Sequence, residues 1–189
     1  MLTGLLGIRL LLLLGKTVPL PAPYDVSRAF ARAEVTNDAE QGDGFQLTFT
    51  LAKGVLDYDL LQGGLLDPFN RVVVAAVFGV VPEVLIDGVI THHQLAPSDE
   101  PGQSTLTVTG KDVSVMLDLA EKNDSYANQP DSVIVSRILL QYAQYGLVPK
   151  PAPTADVPIE LMRVPRQQET DLKFLQRLAQ RNEIGRAHV

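Results

Sequence analysis

Two adjacent histidines, His92 and His93, are the one constellation in the chain that invites a metal or general-base reading. Imidazole changes charge near neutral pH and is a common metal ligand. The pair stands at the end of an alternating run, Val84 to Gln94, which reads as a strand. Neighbouring side chains of a strand point to opposite faces, so one ion cannot hold both rings without distorting the backbone. The carboxylates nearby (Asp87, Asp99 and Glu100) stand at no spacing that forces them toward either ring. The expected state is a strand-end pair with one ring packed and one wet.

Other chemistry finds less support. GLLGIRLLLLLGK at the start resembles a phosphate loop only in having a lysine after a glycine, without the motif's spacing or a following helix start. No GxSxG, HExxH or framed pair of carboxylates occurs. There is no cysteine, which excludes disulfides, thiolate catalysis and cysteine-ligated zinc. No catalytic, cofactor-binding or metal residue is assigned, and the chain is read as a non-enzyme. Sixteen basic against twenty-two acidic residues give a net charge of −6, which disfavours phosphate backbones. Aromatic residues make up 6% with no Trp, so a base-stacking surface has little material.

The elements that would position these residues follow from periodicity. Hydrophobic residues at 46% and charged ones at 20%, in 189 residues, suit a globular chain with a sizeable core. Ile8 to Leu14 reads as a strand covered on both faces. It is not read as a secretory signal, because Arg9 interrupts the apolar run and no basic residue precedes it. It is also far shorter than the roughly 20 apolar residues of a membrane span. Tyr24 to Phe30 suits one helical turn. Alternation predicts strands over Ala31–Thr36 and Phe45–Leu51, joined as a hairpin across the turn-rich Ala39–Gly44. Val55 to Phe69 reads as loop, and Val72 to Val81 as a buried strand ended by Pro82. A second hairpin pairs Val84–Gln94 with Ser104–Lys111 across the acidic segment Ala96–Gln103, a candidate contact loop.

After Gly110 the period shifts from two to about 3.6. This predicts a helix from Val113 to Ala120, capped by Asp112 and ended by Asn123-Asp124. A second helix is expected behind an Asp131 cap, with Val133, Val135, Ile138, Leu139 and Tyr142 inward and Gly146 at its end. Val148 to Pro158 is a proline-rich connector. A short strand, Ile159 to Val164, precedes a last helix capped by Thr170, with Leu172, Leu175, Leu178 and Ala179 as its stripe. The fold class is therefore α+β, a small antiparallel β-barrel with a helical satellite, divided as 1–121 and 122–189.

Four phrases, in this order, carry a family resemblance: GFQLTF (Gly44 to Phe49), GVIT with LTVTGKDVSVMLDL (Gly88 to Leu119), DSVIVSRILLQYAQYGL (Asp131 to Leu147) and ETDLKFLQRLAQRN (Glu169 to Asn182). Together they resemble the baseplate hub proteins of contractile phage tails and related injection systems, a group that includes the late control protein D family and the N-terminal part of VgrG spikes. The likeness runs from about Leu12 to Asn182. The family continues past this point with a glycine and a new strand into a second barrel, whereas this sequence reads EIGRAHV. It is therefore expected to be the N-terminal portion of a hub.

The resemblance implies a homotrimer whose barrels form a pseudo-sixfold ring, adapting a hexameric inner tube to a threefold spike. Its partners would be further copies of itself, the tail tube protein and the spike protein, with no specific nucleic acid and no membrane insertion. Its place would be a virion tail baseplate or injection particle assembled in the bacterial cytoplasm. Two readings from other classes stand beside it: a small cell-wall hydrolase-like tail domain using His92 or His93, and a secreted ligand-binding barrel cleaved after Met1–Gly15.

Overall fold

The computed structural model describes residues 8–37, 43–51, 63–100, 102–154, 158 and 163–182. Contacts divide the chain into two units, Met1–Val113 and Ser114–Val189. The first holds β1 (Ile8–Gly15), β2 (Leu20–Pro21), α1 (Tyr24–Ala29), β3 (Phe30–Thr36), β4 (Gly44–Leu51), β5 (Arg71–Phe78), β6 (Val81–Ala96) and β7 (Ser104–Asp112). These strands form one antiparallel seven-stranded sheet in the order β2-β1-β5-β6-β7-β4-β3.

Both expected hairpins form, with Ala33 opposite Leu47 and Leu95 opposite Leu106. In β4 the expected alternation is complete: Phe45, Leu47, Phe49 and Leu51 are buried while Gln46 and Thr50 are exposed. Leu12, Leu14, Phe45, Leu47, Phe49, Val72, Val74, Ile86, Ile90, Leu106 and Val108 form the core with Val26 of α1. Each such side chain contributes about 1.5–3 kcal/mol by leaving water.

The link between the outer strands reveals the curvature of this sheet. Seven strands laid flat would hold β2 and β3 about 29 Å apart, at about 4.8 Å per step. The chain passes from Pro21 to Phe30 largely through α1. At 1.5 Å per helical step and 3.8 Å per extended step, that link spans at most about 23 Å. The sheet must therefore curl. No ladder joins β2 to β3 among the described residues, so the curl stays open on the described ladders.

Its bends have local causes. Three bulges insert Ala31 in β3, Leu85 in β6 and Thr91 in β6, each adding local twist. Gly88 and Gly110 leave the space in which the Phe45 ring lies: a Cβ on Gly110 would stand 2.2 Å from Phe45 Cζ and 2.4 Å from Val89 O. Glycine is thus required where backbone and ring approach closely.

Several sequence expectations are corrected in this unit. The strand predicted from Val72 to Val81 turns at Gly79-Val80, since Phe78 pairs with Val81. Gly79 has φ of 65°, and a glycine first in a two-residue turn suits the twist of a hairpin. Pro82 thus lies second in β6 and does not end β5. β1 is covered on one face only: Leu12 and Leu14 are buried, while Leu11 is exposed. Of the predicted loop Val55–Phe69, residues 55–62 lie outside the described residues.

In the second unit, β8 (Glu121–Ser125) pairs antiparallel with β9 (Arg166–Thr170), beside α2 (Asp131–Leu140) and α3 (Asp171–Arg181). The α+β class holds. The helix predicted over Val113–Ala120 is only a 3-10 turn, Val113–Leu117, and the Asn123-Asp124 expected to end it lies inside β8. Val113 and Val115 are β-branched and disfavour longer helical propagation. Asp112 belongs to β7, where its N–H donates to Asp43 O. Of the expected strand Ile159–Val164, residues 159–162 lie outside the described residues.

α2 begins after Pro130, and the Asp131 side chain is not its cap. Its inward residues are Ile134 and Ile138, whereas Val133 is exposed. α3 starts as expected, the Thr170 hydroxyl accepting from Lys173 N–H. Phe174, absent from the predicted stripe, is fully buried with Leu175 and Leu178 and stacks on Tyr126 at 5.5 Å between centroids.

Candidate functional site

Placement of the histidines follows from the Thr91 bulge. His92 sits opposite Thr109 and His93 opposite Val108, on opposite faces of β6. His92 is exposed; His93 is half-buried, with Nδ1 3.4 Å from Leu66 O. Asp87 is turned to Arg71, whose Nε and Nη2 donate to its two oxygens at 2.7 and 2.5 Å. The bidentate hydrogen bonds to Asp87 raise the Arg71 pKa further, against the opposing effect of burial. Glu100 lies in the β6–β7 loop, where its N–H donates to Ser98 Oγ. Asp87 is thus engaged by Arg71 rather than by either ring, and no group of three His, Asp or Glu that could hold a metal occurs among the described residues.

A buried charged cluster, not foreseen from sequence, lies in the second unit. Asp171 is fully buried and accepts from Lys122 Nζ at 2.5 Å, Tyr142 OH at 2.6 Å and Gln167 Nε2 at 2.7 Å. Gln167 is also fully buried and accepts from Tyr126 OH at 2.8 Å. Burial, then the hydrogen bond to Asp171, pushes the Tyr142 hydroxyl pKa far up. Burial and the charge of Asp124 also raise the Tyr126 hydroxyl pKa. A Lys–Asp–Tyr grouping has catalytic residue types, yet Asp171 spends its oxygens on internal donors. Its chemistry is that of a tie: it fastens β8, β9 and the stretch after α2 to the N-terminal turn of α3, where the helix dipole also favours an anion. A second tie joins the helices directly. Asp131 at the start of α2 accepts from Arg181 and from Asn182 Nδ2 at the end of α3. Burial opposes the charged form of Asp131, but the hydrogen bonds from Arg181 and Asn182 and the charges of Arg181 and Arg163 outweigh it and hold its pKa below the usual carboxylate range.

Exposed apolar residues also gather near the β5–β6 turn. Leu12, Val74 and Ile86 line up across β1, β5 and β6 on the core face. Continuing along that face toward the turn come Leu10 and then Phe78 with Val81, which are 41%, 49% and 65% exposed. The core face thus runs on past the core. Val80 at the turn, Val84 on the other face and the bulged Leu85 are exposed too. Contiguous apolar patches of this kind mark interaction surfaces more often than singly scattered residues do. Phe78, Val80 and Val81 fall in the stretch Val72–Val81, which the sequence reading takes as a buried strand.

Comparison with known proteins gives a fold likeness. No family model matches the chain, and no curated protein matches it. Among solved structures, the chain superposes on a tail protein from Neisseria meningitidis MC58 with a TM-score of 0.56 at 12% identity, over 92% of this chain and 45% of that one. The 43 kDa tail protein of prophage MuSo2 from Shewanella oneidensis gives 0.58 at 16% identity, over 92% and 48%. A chain of the Francisella PdpA-VgrG complex gives 0.48 at 13% identity, over 92% and 28%. The chain shares the fold of the two tail proteins and spans about half their length.

Proposed function

We propose that this chain is a structural baseplate hub subunit of a contractile tail or injection system, without enzymatic activity. The observation that carries the reading is the fold shared with two tail proteins over 92% of this chain. The ordered phrases from Gly44 to Asn182 support it independently, and so does an exposed apolar surface suited to assembly. In this reading the chain forms a homotrimer that links the inner tube to the spike, its partners being the tube protein and the spike protein. The 1–121 barrel domain builds the ring and the 122–189 subdomain leads toward the rest of the hub. The particle is assembled in the bacterial cytoplasm and the subunit resides in its baseplate.

Imaging of tail particles purified from cells carrying the whole gene tests this. Density for this fold between tube and spike, in three copies, is the expected result. Particles complete without the protein would refute it.

A further inference from the structure

We infer that the free edge of β8 is the seat of one further strand, supplied by the downstream half of the same polypeptide. This rests on the reading of the chain as the N-terminal portion of a hub.

The ladder shows which backbone groups are open. Tyr126 N–H donates to Pro165 O at 2.9 Å, one step beyond the Ser125–Arg166 pair. Bonded and non-bonded pairs alternate in an antiparallel ladder, so Asp124 with Gln167 and Lys122 with Glu169 hold β8 to β9. The N–H and C=O groups of Glu121, Asn123 and Ser125 therefore point away from β9. All three residues are exposed, and no strand pairs with this edge among the described residues. A two-stranded sheet is marginal by itself, and an open edge is a template for another strand.

The other edge of the sheet is taken. By the same alternation Arg166 O points away from β8, and it accepts from Arg177 Nη2 of α3 at 2.8 Å. A strand arriving beside β9 would displace that bond. One arriving beside β8 displaces none among the described residues.

The path of the chain selects the occupant. Five residues of β9 and eleven of α3 are each about 17 Å long. Arg177 reaches Glu169 and Arg166 O, so α3 runs back along β9. It delivers the chain to the end of the sheet where β9 begins, and a strand starting there runs antiparallel to β8. β9, α3 and that strand complete a split β-α-β unit with β8 in the middle. On the hub reading a comparable length of polypeptide follows to supply it, since this chain covers 45% and 48% of the two tail proteins. The seat also sets the strand's chemistry. Glu121 and Asp124 are exposed, whereas the charge of Lys122 is held by Asp171. The edge is acidic and favours Lys or Arg on the strand that faces it.

Amide hydrogen exchange, read residue by residue in the whole gene product and in the 189-residue chain, tests this. The amides of Glu121, Asn123 and Ser125 are expected to exchange at least about tenfold slower in the whole product, and those of Lys122 and Asp124 slowly in both. Asn123→Pro removes one outward N–H, leaves the β8–β9 bonds in place, and is expected to release Glu121 and Ser125 in the whole product. Circular dichroism checks that each protein is folded. Equal exchange of the wild-type edge in the two proteins overturns the inference. So does protection that grows with protein concentration, which assigns the edge to another chain. A whole product that enters tail particles with this edge unprotected overturns it and leaves the hub reading standing, whereas a gene that encodes nothing downstream overturns both.

Discussion

Gly110 offers the sharpest test of how the first unit is held in its curl. A methyl group at this position would stand 2.2 and 2.4 Å from Phe45 Cζ and Cε1, and 2.4 Å from Val89 O. Real Cβ contacts of that length do not exist, so ring and backbone must both move. Phe45 is 4% exposed and pairs directly with Gly110, so the ring has no free volume to enter. Overpacking of a close-packed site costs about 1–3 kcal/mol, occasionally more. The added backbone collision with the β6 carbonyl places Gly110→Ala at or above the top of that range, at about 3 kcal/mol. For a unit of this size that corresponds to a fall in Tm of roughly 10–15 °C. Urea unfolding of wild type, Gly110→Ala, Phe45→Ala and the double variant isolates the ring's part. Phe45→Ala alone should cost about 3–5 kcal/mol through its cavity. In that background Gly110→Ala should cost at least about 1 kcal/mol less than in the wild type, because only the carbonyl clash remains. Additivity within about 0.5 kcal/mol, or a single-variant cost below about 1 kcal/mol, would refute the ring-in-trough account.

The helix clamp should make the second unit acid-sensitive. The Asp131 pKa is lowered on folding, so its contribution is present above the unfolded carboxylate value of about 3.9 and is lost as pH falls through the lower folded value. Tm measured from pH 6 to pH 2 should show a steep acid limb that Asp131→Asn flattens; unchanged limbs would count against the clamp. Asp171→Ala strands Lys122, Tyr142 and Gln167 and should destabilise the second unit by about 3–5 kcal/mol in denaturant titration, whereas a loss under about 1 kcal/mol would show that water replaces the carboxylate. His92→Ala with His93→Ala should change stability by less than about 1 kcal/mol. Added zinc should not raise Tm, and a zinc-dependent rise abolished by the double substitution would reopen the metal reading.

The alternating strands were legible because a half-buried strand writes its environment into every second residue, as in β4. The Thr170 cap was legible because a helix start needs a local acceptor. His92 and His93 could be separated by the same alternation, although the bulge just before them could not be seen. A bulge depends on partner register, which lies some 20 residues away in the chain. Asp131 shows a different failure. An acidic residue before an apolar run looks like a cap, yet its carboxylate is taken by Arg181 and Asn182, about 50 residues on. Asp171 and Gln167 gave no signal, because burial of a polar side chain depends on donors from Lys122, Tyr142 and Tyr126 that only folding assembles.

By itself the sequence determined the α+β class, the two hairpins, the last helix and the absence of cysteine chemistry, because each is a property of short windows or of composition. Tertiary structure alone decided the strand order that curls the sheet around Phe45 and the shortening of the Val113 helix. It alone decided the buried Asp171 cluster and the emergence of the core face at Leu10, Phe78 and Val81. The physical reason is the same for each. An apolar strand residue is written identically whether the fold covers it or leaves it bare, and only the arrangement of distant segments decides which.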